Sequence, residues 1–309
     1  MNVPYALTLL ITLLLAAAWL AARAKKRGMK TAPVFTGVLF GAALACILAK
    51  LLYVLLLSSK VWPRYGWASL IRLDAAEFSV IGGALGMVLG MVLAAKVYHV
   101  QTARMLSLFA PAGALMLAGV RIAEFFLGMQ GAGAYVENEA FARLPFAISN
   151  EWGEWFWAIF LLEALAALAV AAVFALRKKE DGIASLRFER TVYYLCVPQI
   201  ICESLRALGM RWGFVRIEQV LCGVIIEGLL IYGCLQANAN SGFWKRFWPP
   251  IAALGCVGVI VGCEFGLDKT PLPDLFWYCV MLAALVGYGV LEHVVTARRW
   301  REKLSNAES

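Results

Sequence analysis

The sequence predicts an all-α polytopic membrane protein, a helical bundle of about nine transmembrane helices. The 309 residues are 62% hydrophobic and only 16% charged, with a mean hydropathy of +0.76, whereas soluble domains carry about 25% charged residues. Long apolar segments recur along the chain, and each approaches the roughly 20 residues that span a bilayer. The predicted spans are residues 5–22, 34–57, 78–95, 106–127, 155–176, 191–208, 217–236, 248–266 and 275–296.

The sixth predicted span is the most polar of the nine. It contains Pro198, Gln199, Glu203 and Arg206, so we expect it to face the interior of the bundle or to re-enter the membrane from one side. Gln199, Glu203 and Arg206 share one helical face by their spacing.

The basic residues indicate the orientation of the chain. They cluster at 23–30, 177–190 and 298–303, and cytoplasmic loops carry an excess of Lys and Arg. The sequence therefore predicts an outside N-terminus and a cytoplasmic C-terminus, with the net charge of +8 next to anionic lipid. No basic groove with interleaved aromatic residues is evident, so the charge does not indicate nucleic-acid binding.

Cysteine and histidine patterns give no sign of a metal or cofactor. The eight cysteines lie in or beside apolar segments without a C-x-x-C pair, and the two histidines, His99 and His293, are far apart. We expect the cysteines to be small buried hydrophobes, and we expect no metal and no cofactor.

Arg121 lies deep in the fourth apolar segment, where an arginine costs about 2.5–3.5 kcal/mol on insertion scales. Glu124 follows on the same helical face at i+3, where an ion pair can form. Two interpretations stay open: the pair neutralises itself and joins helices, or Arg121 belongs to an anion site within the membrane.

Four further features bear on whether the outer half of the bundle holds a polar site. Lys50 either snorkels outward or joins Arg121 at one anion, and Glu163 is an isolated carboxylate in an apolar helix. A stripe of small residues in the third segment allows close helix packing or makes room for a ligand; it consists of Gly82, Gly83, Gly86 and Gly90. The loop 128–154 has the position of a lid over such a site.

The order of these features resembles bacterial prolipoprotein diacylglyceryl transferase over residues 5–236. The similar motifs are Tyr5 with WLAARAK, Lys50 and Tyr53 in AKLLY, FSVIGG at 78–83, FAP with AGVRIAE around Arg121, FLLEAL around Glu163, QIICESLR at 199–206, and Glu218-Gln219.

The chain departs from the family pattern at several positions. Ile81 stands where the family has a histidine, Glu124 where it has an asparagine, and Gln199 where it has an arginine. The last two segments have no counterpart. The predicted organisation is therefore a transferase-like membrane core at 1–240, then two additional transmembrane helices with a basic cytoplasmic tail at 241–309.

The resemblance implies a membrane enzyme of the bacterial cytoplasmic membrane. The family moves the diacylglyceryl group of phosphatidylglycerol to the thiol of a lipobox cysteine and releases glycerol phosphate. The implied partners are phosphatidylglycerol or a similar anionic phospholipid and a prolipoprotein signal peptide. The candidate general bases are Glu163 and Glu203, and the candidate phospholipid-binding residues are Arg121, Lys50, Glu124, Gln199, Arg206, Gly82, Gly83 and Tyr5.

A second function class fits the same residues. Because a carboxylate would have to replace the missing histidine, the chain is either a lipid transferase or a non-catalytic lipid-binding or partner-organising membrane protein that retains the fold. A transporter is a third class. We expect Lys50, Arg121, Glu163 and Glu203 to line one cavity.

Overall fold

The computed structural model describes residues 2–74, 76–176, 185–213, 215–237 and 242–308. Helices dominate, and the chain divides into two compact units. The first unit comprises Met1–Leu195 with Leu205–Met210, and the second comprises Cys196–Ser204 with Arg211–Ser309.

The first unit contains long helices, two short helices and a long connection between α5 and α7. Its helices are α1 (Val3–Lys26), α2 (Ala32–Leu56), α3 (Ser58–Tyr65), α4 (Val80–Val97), α5 (Thr102–Ala123), α6 (Glu139–Ala142) and α7 (Ile159–Leu176), and α8 (Leu186–Leu205) is divided between the units. Two 3₁₀ helices, Gly66–Leu70 and Glu124–Gly131, follow α3 and α5. Side chains cap the starts of two helices, since Asn2 accepts from the Tyr5 N–H and Ser79 accepts from the Gly82 N–H.

The glycine stripe of α4 packs directly against α2. A Cβ atom at Gly82, Gly86 or Gly90 would lie 2.6, 2.4 or 2.2 Å from the nearest backbone atom of α2. Only glycine permits this approach, so the packing interpretation of these positions is confirmed. Gly83 differs, because its Cβ would make an ordinary 3.8 Å contact with the Ala49 side chain.

The predicted lid loop forms a small antiparallel sheet with residues 155–157, which the sequence had assigned to the fifth span; the helix of that span begins at Ile159. Strand β1 (Ala147–Ser149) pairs with β2 (Trp155–Trp157) across a turn in which the Asn150 side chain accepts two backbone N–H groups. The segment 132–136 extends this sheet, because the Gly133 N–H donates to the Trp157 carbonyl at 2.7 Å. The Ala207 N–H then donates to the Ala132 carbonyl at 3.0 Å, which ties the chain after α8 to the same sheet.

The second unit contains the last three long helices. They are α9 (Ile217–Gln236), α10 (Phe243–Lys269) and α11 (Asp274–Glu308), preceded by a short hairpin of β3 (Arg211–Trp212) and β4 (Val215–Arg216). The Tyr288 hydroxyl donates to Glu227 at 2.8 Å and links α11 to α9. In an apolar environment such a hydrogen bond holds neighbouring helices together.

The chain is a multi-pass helical membrane protein, as the sequence predicted. Among the described residues, eight helices are long and apolar enough to cross a membrane. The remaining predicted span, 191–208, falls largely in α8, a helix of 20 residues that carries Arg187, Glu189, Arg190 and Glu203. Because of these charges, α8 is not apolar enough to be counted with the eight helices, although it is long enough to cross a membrane. The outside N-terminus and the domain boundary at 240 stay predictions.

Candidate functional site

The first unit holds four charged side chains in mutual contact, which we call the arginine–glutamate cluster: Arg121, Glu124, Glu163 and Arg206. Their exposed fractions are 1%, 7%, 4% and 7%. Burial this deep is rare for ionised groups unless they are paired. The cluster is therefore a built feature of the interior.

Three separate parts of the chain bring these side chains together. Arg121 lies in the last turn of α5, and Glu124 opens the 3₁₀ helix that continues it. Glu163 lies in the first turn and a half of α7, directly after β2. Arg206 follows the end of α8 and forms a backbone bridge with Gly133, so the small sheet fixes its position.

Each arginine contacts both glutamates. Arg206 donates from Nε to Glu163 Oε1 at 2.9 Å and from one terminal nitrogen to Glu163 Oε2 at 2.7 Å. The same nitrogen donates to Glu124 Oε2 at 2.7 Å. Arg121 donates to Glu124 Oε1 and pairs through Nε with Glu163 Oε2. Two positive and two negative charges thus form a closed ring with no net charge.

The surroundings of the ring leave it little room. A Cβ atom at Gly131 would lie 2.9 Å from Glu124 Oε2 and 2.9 Å from the Phe160 Cβ, so glycine is required where the chain passes the carboxylate. Tyr5, half-buried in the first turn of α1, interacts electrostatically with Glu124 and Arg121. The predicted Arg121–Glu124 ion pair is therefore present, within a larger group of charges.

Lys50 follows neither of the two alternatives that the sequence suggested, snorkelling outward or joining Arg121 at an anion. It is only 5% exposed, and its amine donates to Glu77 at 2.9 Å. Glu77 precedes α4 and also faces Arg72 at 3.8 Å, while Arg72 pairs with Asp74 at 3.4 Å. A hydrogen bond to the Tyr65 side chain and the nearby carboxylates raise the pKa of Arg72 above its ordinary value.

The second unit contains a polar network centred on Glu264 of α10. Glu264 accepts from the Ser204 hydroxyl and from Gln219 Nε2, the latter at 2.9 Å, and it faces Arg216 Nε at 3.5 Å. Gln219 also donates to the Ile200 carbonyl at 3.0 Å. The network joins the end of α8, the start of α9 and α10.

Three polar residues that the sequence singled out border this network: Gln199, Glu203 and Glu218. Gln199 donates to Glu218 at 3.2 Å, and Glu203, 1% exposed, interacts electrostatically with Arg216. Burial and the neighbouring Arg211 lower the pKa of Arg216, while Glu264 and Glu203 act in the opposite direction. The network is thus a second place where buried charges meet.

The structure brings together half of the predicted site residues and shows partners that the sequence missed. Arg121, Glu124, Glu163 and Arg206 are in contact, with Tyr5 nearby; Lys50 pairs elsewhere, and Gly82 serves helix packing. Glu77 and Glu264 were missed as partners. Glu264 carried the same signal as Glu163, an isolated carboxylate in an apolar run, whereas Glu77 lies in a connecting segment and had no such signal.

A family model described as prolipoprotein diacylglyceryl transferase matches residues 3–234. The match includes every residue of the arginine–glutamate cluster and ends within α9. No curated protein and no solved structure matches the chain. The match agrees with the resemblance drawn from the motifs, and α10 and α11 lie beyond it.

Proposed function

Because the chain belongs to the prolipoprotein diacylglyceryl transferase family, we propose that it is a membrane transferase that moves a diacylglyceryl group from phosphatidylglycerol or a similar anionic phospholipid to a thiol. The proposed acceptor is the lipobox cysteine of a prolipoprotein. The observation that carries this proposal is the family match over residues 3–234. We place the protein in the bacterial cytoplasmic membrane, with its N-terminus outside.

The proposed reaction exchanges one bond at the glycerol carbon that carries the phosphate. A carboxylate takes the proton of the acceptor thiol, because the thiolate and not the thiol is the nucleophile. The sulfur then forms a bond with that carbon while the carbon–oxygen bond breaks, and glycerol phosphate leaves with the electron pair. Fixed cations that face the phosphate stabilise the charge that develops on the leaving group.

Arg121 and Arg206 are the proposed cations. Guanidinium groups suit phosphate because their donors form a planar fork that matches two oxygens. Both arginines already contact Glu124 and Glu163, so an incoming phosphate competes with these carboxylates. Glu124 occupies the position of the family's asparagine, and we infer that it sets how strongly the cluster attracts an anion.

Glu163 and Glu203 are the two candidate bases. Both carboxylate oxygens of Glu163 accept hydrogen bonds from Arg206, so a thiol proton would compete with these donors for Glu163. A general base must lie within hydrogen-bond reach of the proton that it takes. Glu203 is a buried carboxylate of the second unit, and we propose that one of the two glutamates acts in place of the family's histidine, where this chain has Ile81.

A non-catalytic lipid-binding or partner-organising role is the second candidate. The closed ring of charges favours it, since every arginine of the cluster is balanced by a carboxylate within the protein. Ile81 favours it as well, because an isoleucine side chain exchanges no proton. The two functions differ in whether any thiol receives a diacylglyceryl group.

The test combines a transfer assay with a binding assay on the purified full-length protein. The protein is placed in nanodiscs that contain phosphatidylglycerol and supplied with a synthetic lipobox peptide; mass spectrometry detects the diacylglyceryl thioether, and glycerol phosphate is quantified. Glutamine in place of the glutamate that acts as the base, Glu163 or Glu203, should lower the rate about 10²-fold or more, as for loss of a general base. Arg121→Gln should weaken phosphatidylglycerol binding as well as transfer.

Two exposed residues supply the controls. Arg104→Gln changes the opposite end of α5 from Arg121, and Glu151→Gln changes a carboxylate in an exposed turn; neither should alter the rate. Full activity in both glutamine variants, Glu163→Gln and Glu203→Gln, would show that neither glutamate is the base. Lipid binding that depends on Arg121 without transfer to any thiol peptide would establish the non-catalytic role.

A further inference from the structure

A cavity of about 470 Å³ opens in the first unit, apart from the arginine–glutamate cluster. None of the four cluster residues lines it. Its lining residues are Asn2, Arg72, Leu73, Asp74, Ala76, Phe126, Leu127 and Gln130. Nothing in the proposed transfer reaction uses this cavity.

The cavity lies where helices begin and end. Asn2 caps the start of α1, Phe126 and Leu127 belong to the 3₁₀ helix after α5, and Arg72 and Asp74 lie in the segment before α4. The Asn2 side-chain amide donates to the Phe126 carbonyl and holds two of these walls together. Ends of membrane-spanning helices lie near the polar headgroup region of a bilayer, so the cavity is at the depth of lipid headgroups.

Opposite charges stand side by side in the cavity wall. Arg72 and Asp74 are 3.4 Å apart, and their side chains are 42% and 43% exposed. Arg72 is held over the Tyr65 ring at 4.4 Å, and Asp74 is held by accepting the Ala76 N–H at 3.2 Å. Two amide side chains and the apolar Leu73, Phe126 and Leu127 complete the wall, so the cavity suits a molecule with polar and apolar parts.

The charges around the cavity sum to zero. Lys50 and Arg72 are balanced by Asp74 and Glu77, which they contact. An anionic headgroup would meet the Asp74 carboxylate beside the Arg72 guanidinium, whereas a headgroup with one negative and one positive charge matches both signs. Electrostatic complementarity of this kind gives specificity.

We propose that this cavity binds the headgroup of a zwitterionic aminophospholipid, with the phosphate on Arg72 and the ammonium on Asp74. The first carbons of the acyl chains lie along Phe126 and Leu127. An ethanolamine headgroup fits better than a choline headgroup, because a primary ammonium donates hydrogen bonds to a carboxylate and a trimethylammonium does not. This site is independent of the proposed transferase activity, which uses an anionic lipid at other residues.

The test compares three soluble short-chain lipids on the purified full-length protein in detergent. Native mass spectrometry or fluorescence titration gives the Kd of dioctanoyl phosphatidylethanolamine, phosphatidylcholine and phosphatidylglycerol. The wild type should bind the ethanolamine lipid more tightly than the choline lipid. Asp74→Asn removes the charge but keeps an oxygen that accepts the Ala76 N–H. It should weaken ethanolamine-lipid binding about ten-fold, equal to about 1.4 kcal/mol. Phosphatidylglycerol binding should not weaken.

Arg72→Gln should weaken binding of the ethanolamine and choline lipids, because both would place their phosphate on Arg72. Arg64→Gln is the matched control, since Arg64 also stacks on Tyr65 but does not line the cavity, and it should leave each Kd unchanged. Equal binding of the ethanolamine and choline lipids by the wild type, or an Asp74→Asn protein whose ethanolamine-lipid Kd stays within about two-fold, would overturn the proposal. The transfer assay, measured separately, decides the transferase function whatever this result.

Discussion

Arg206 and Glu163 form a two-bond fork in which Nε and a terminal nitrogen donate to the two carboxylate oxygens at 2.9 and 2.7 Å. The fork joins the start of α7 to the chain after α8, inside the first unit. Its geometry requires a planar group with two parallel donors, which lysine lacks. The first unit therefore depends on the shape of Arg206 as well as on its charge.

Replacing Arg206 by lysine should destabilise the protein although the charge is kept. One ammonium cannot replace the donors that reach Glu163 and Glu124, and a lost hydrogen bond to a charged group costs about 1.5–3 kcal/mol. Thermal unfolding of the purified protein in detergent measures the change. Arg104→Lys, at an exposed position, is the control and should leave the unfolding midpoint unchanged; equal midpoints for both variants would show that the fork contributes nothing.

Adding one methyl group at Gly90 should separate α4 from α2. The new Cβ would lie 2.2 Å from the Gly41 nitrogen, and overpacking of this kind costs about 1–3 kcal/mol or more. We expect Gly90→Ala to lower the unfolding midpoint and the yield of folded protein. Gly83→Ala is the control on the same helix, because its Cβ finds an ordinary contact; the prediction fails if both variants are equally stable.

Glu264 should matter for the second unit although it lies outside the family match. It accepts from Ser204 and Gln219 and faces Arg216, so Glu264→Ala leaves three buried polar groups short of a partner, at about 1–3 kcal/mol for each unsatisfied group. The unfolding midpoint should fall clearly. Lys269→Ala, exposed on the same helix, is the control and should have little effect on the unfolding midpoint. If Glu264→Ala changes the midpoint as little as Lys269→Ala does, α10 is excluded from the network.

The orientation predicted from the basic clusters is open to a labelling test. With the N-terminus outside, a cysteine introduced at Lys26 is cytoplasmic and one introduced at Glu137 is outside. A membrane-impermeant maleimide should label Glu137→Cys in intact cells and Lys26→Cys only after permeabilisation. The parent chain, which has eight cysteines, sets the background, and labelling of Lys26→Cys from outside would reverse the topology.

The sequence predicted the helical spans and the presence of buried charges, because both are local properties. Apolar length located the spans, and the cost of a charge in lipid singled out Arg121 and Glu163. The i+3 spacing predicted the contact of Arg121 with Glu124. These inferences need only the chemistry of neighbouring residues.

The tertiary partners were not predictable from such patterns. Lys50 pairs with Glu77 because the segment before α4 folds back onto α2, where the Ser79 N–H donates to the Ala49 carbonyl at 3.0 Å. Arg206 reaches Glu163 because the small sheet anchors the chain after α8. Both contacts depend on the path of connecting segments, which have no periodic pattern to interpret.

A double-mutant cycle on Arg121 and Glu124 tests whether the charge ring acts as one unit. Glu124→Gln leaves two guanidinium groups with one carboxylate, and Arg121→Gln leaves two carboxylates with one guanidinium. Breaking a buried ion pair on one side costs about 3–5 kcal/mol. The double variant restores neutrality, so its loss of stability should be smaller than the sum of the two single losses, by about 0.5–3 kcal/mol as for contacting residues.

The same cycle separates an anion-binding role from a structural one. A ring that binds anionic lipid gains a net positive charge in Glu124→Gln, so phosphatidylglycerol should bind more tightly to that variant and less tightly to Arg121→Gln. Chemical unfolding gives the stabilities, and native mass spectrometry gives the lipid affinities. Additive stabilities would show that the two residues do not interact. Coupled stabilities with phosphatidylglycerol affinities unchanged in both single variants would make the ring a structural element, and the leaving phosphate would then need another cation.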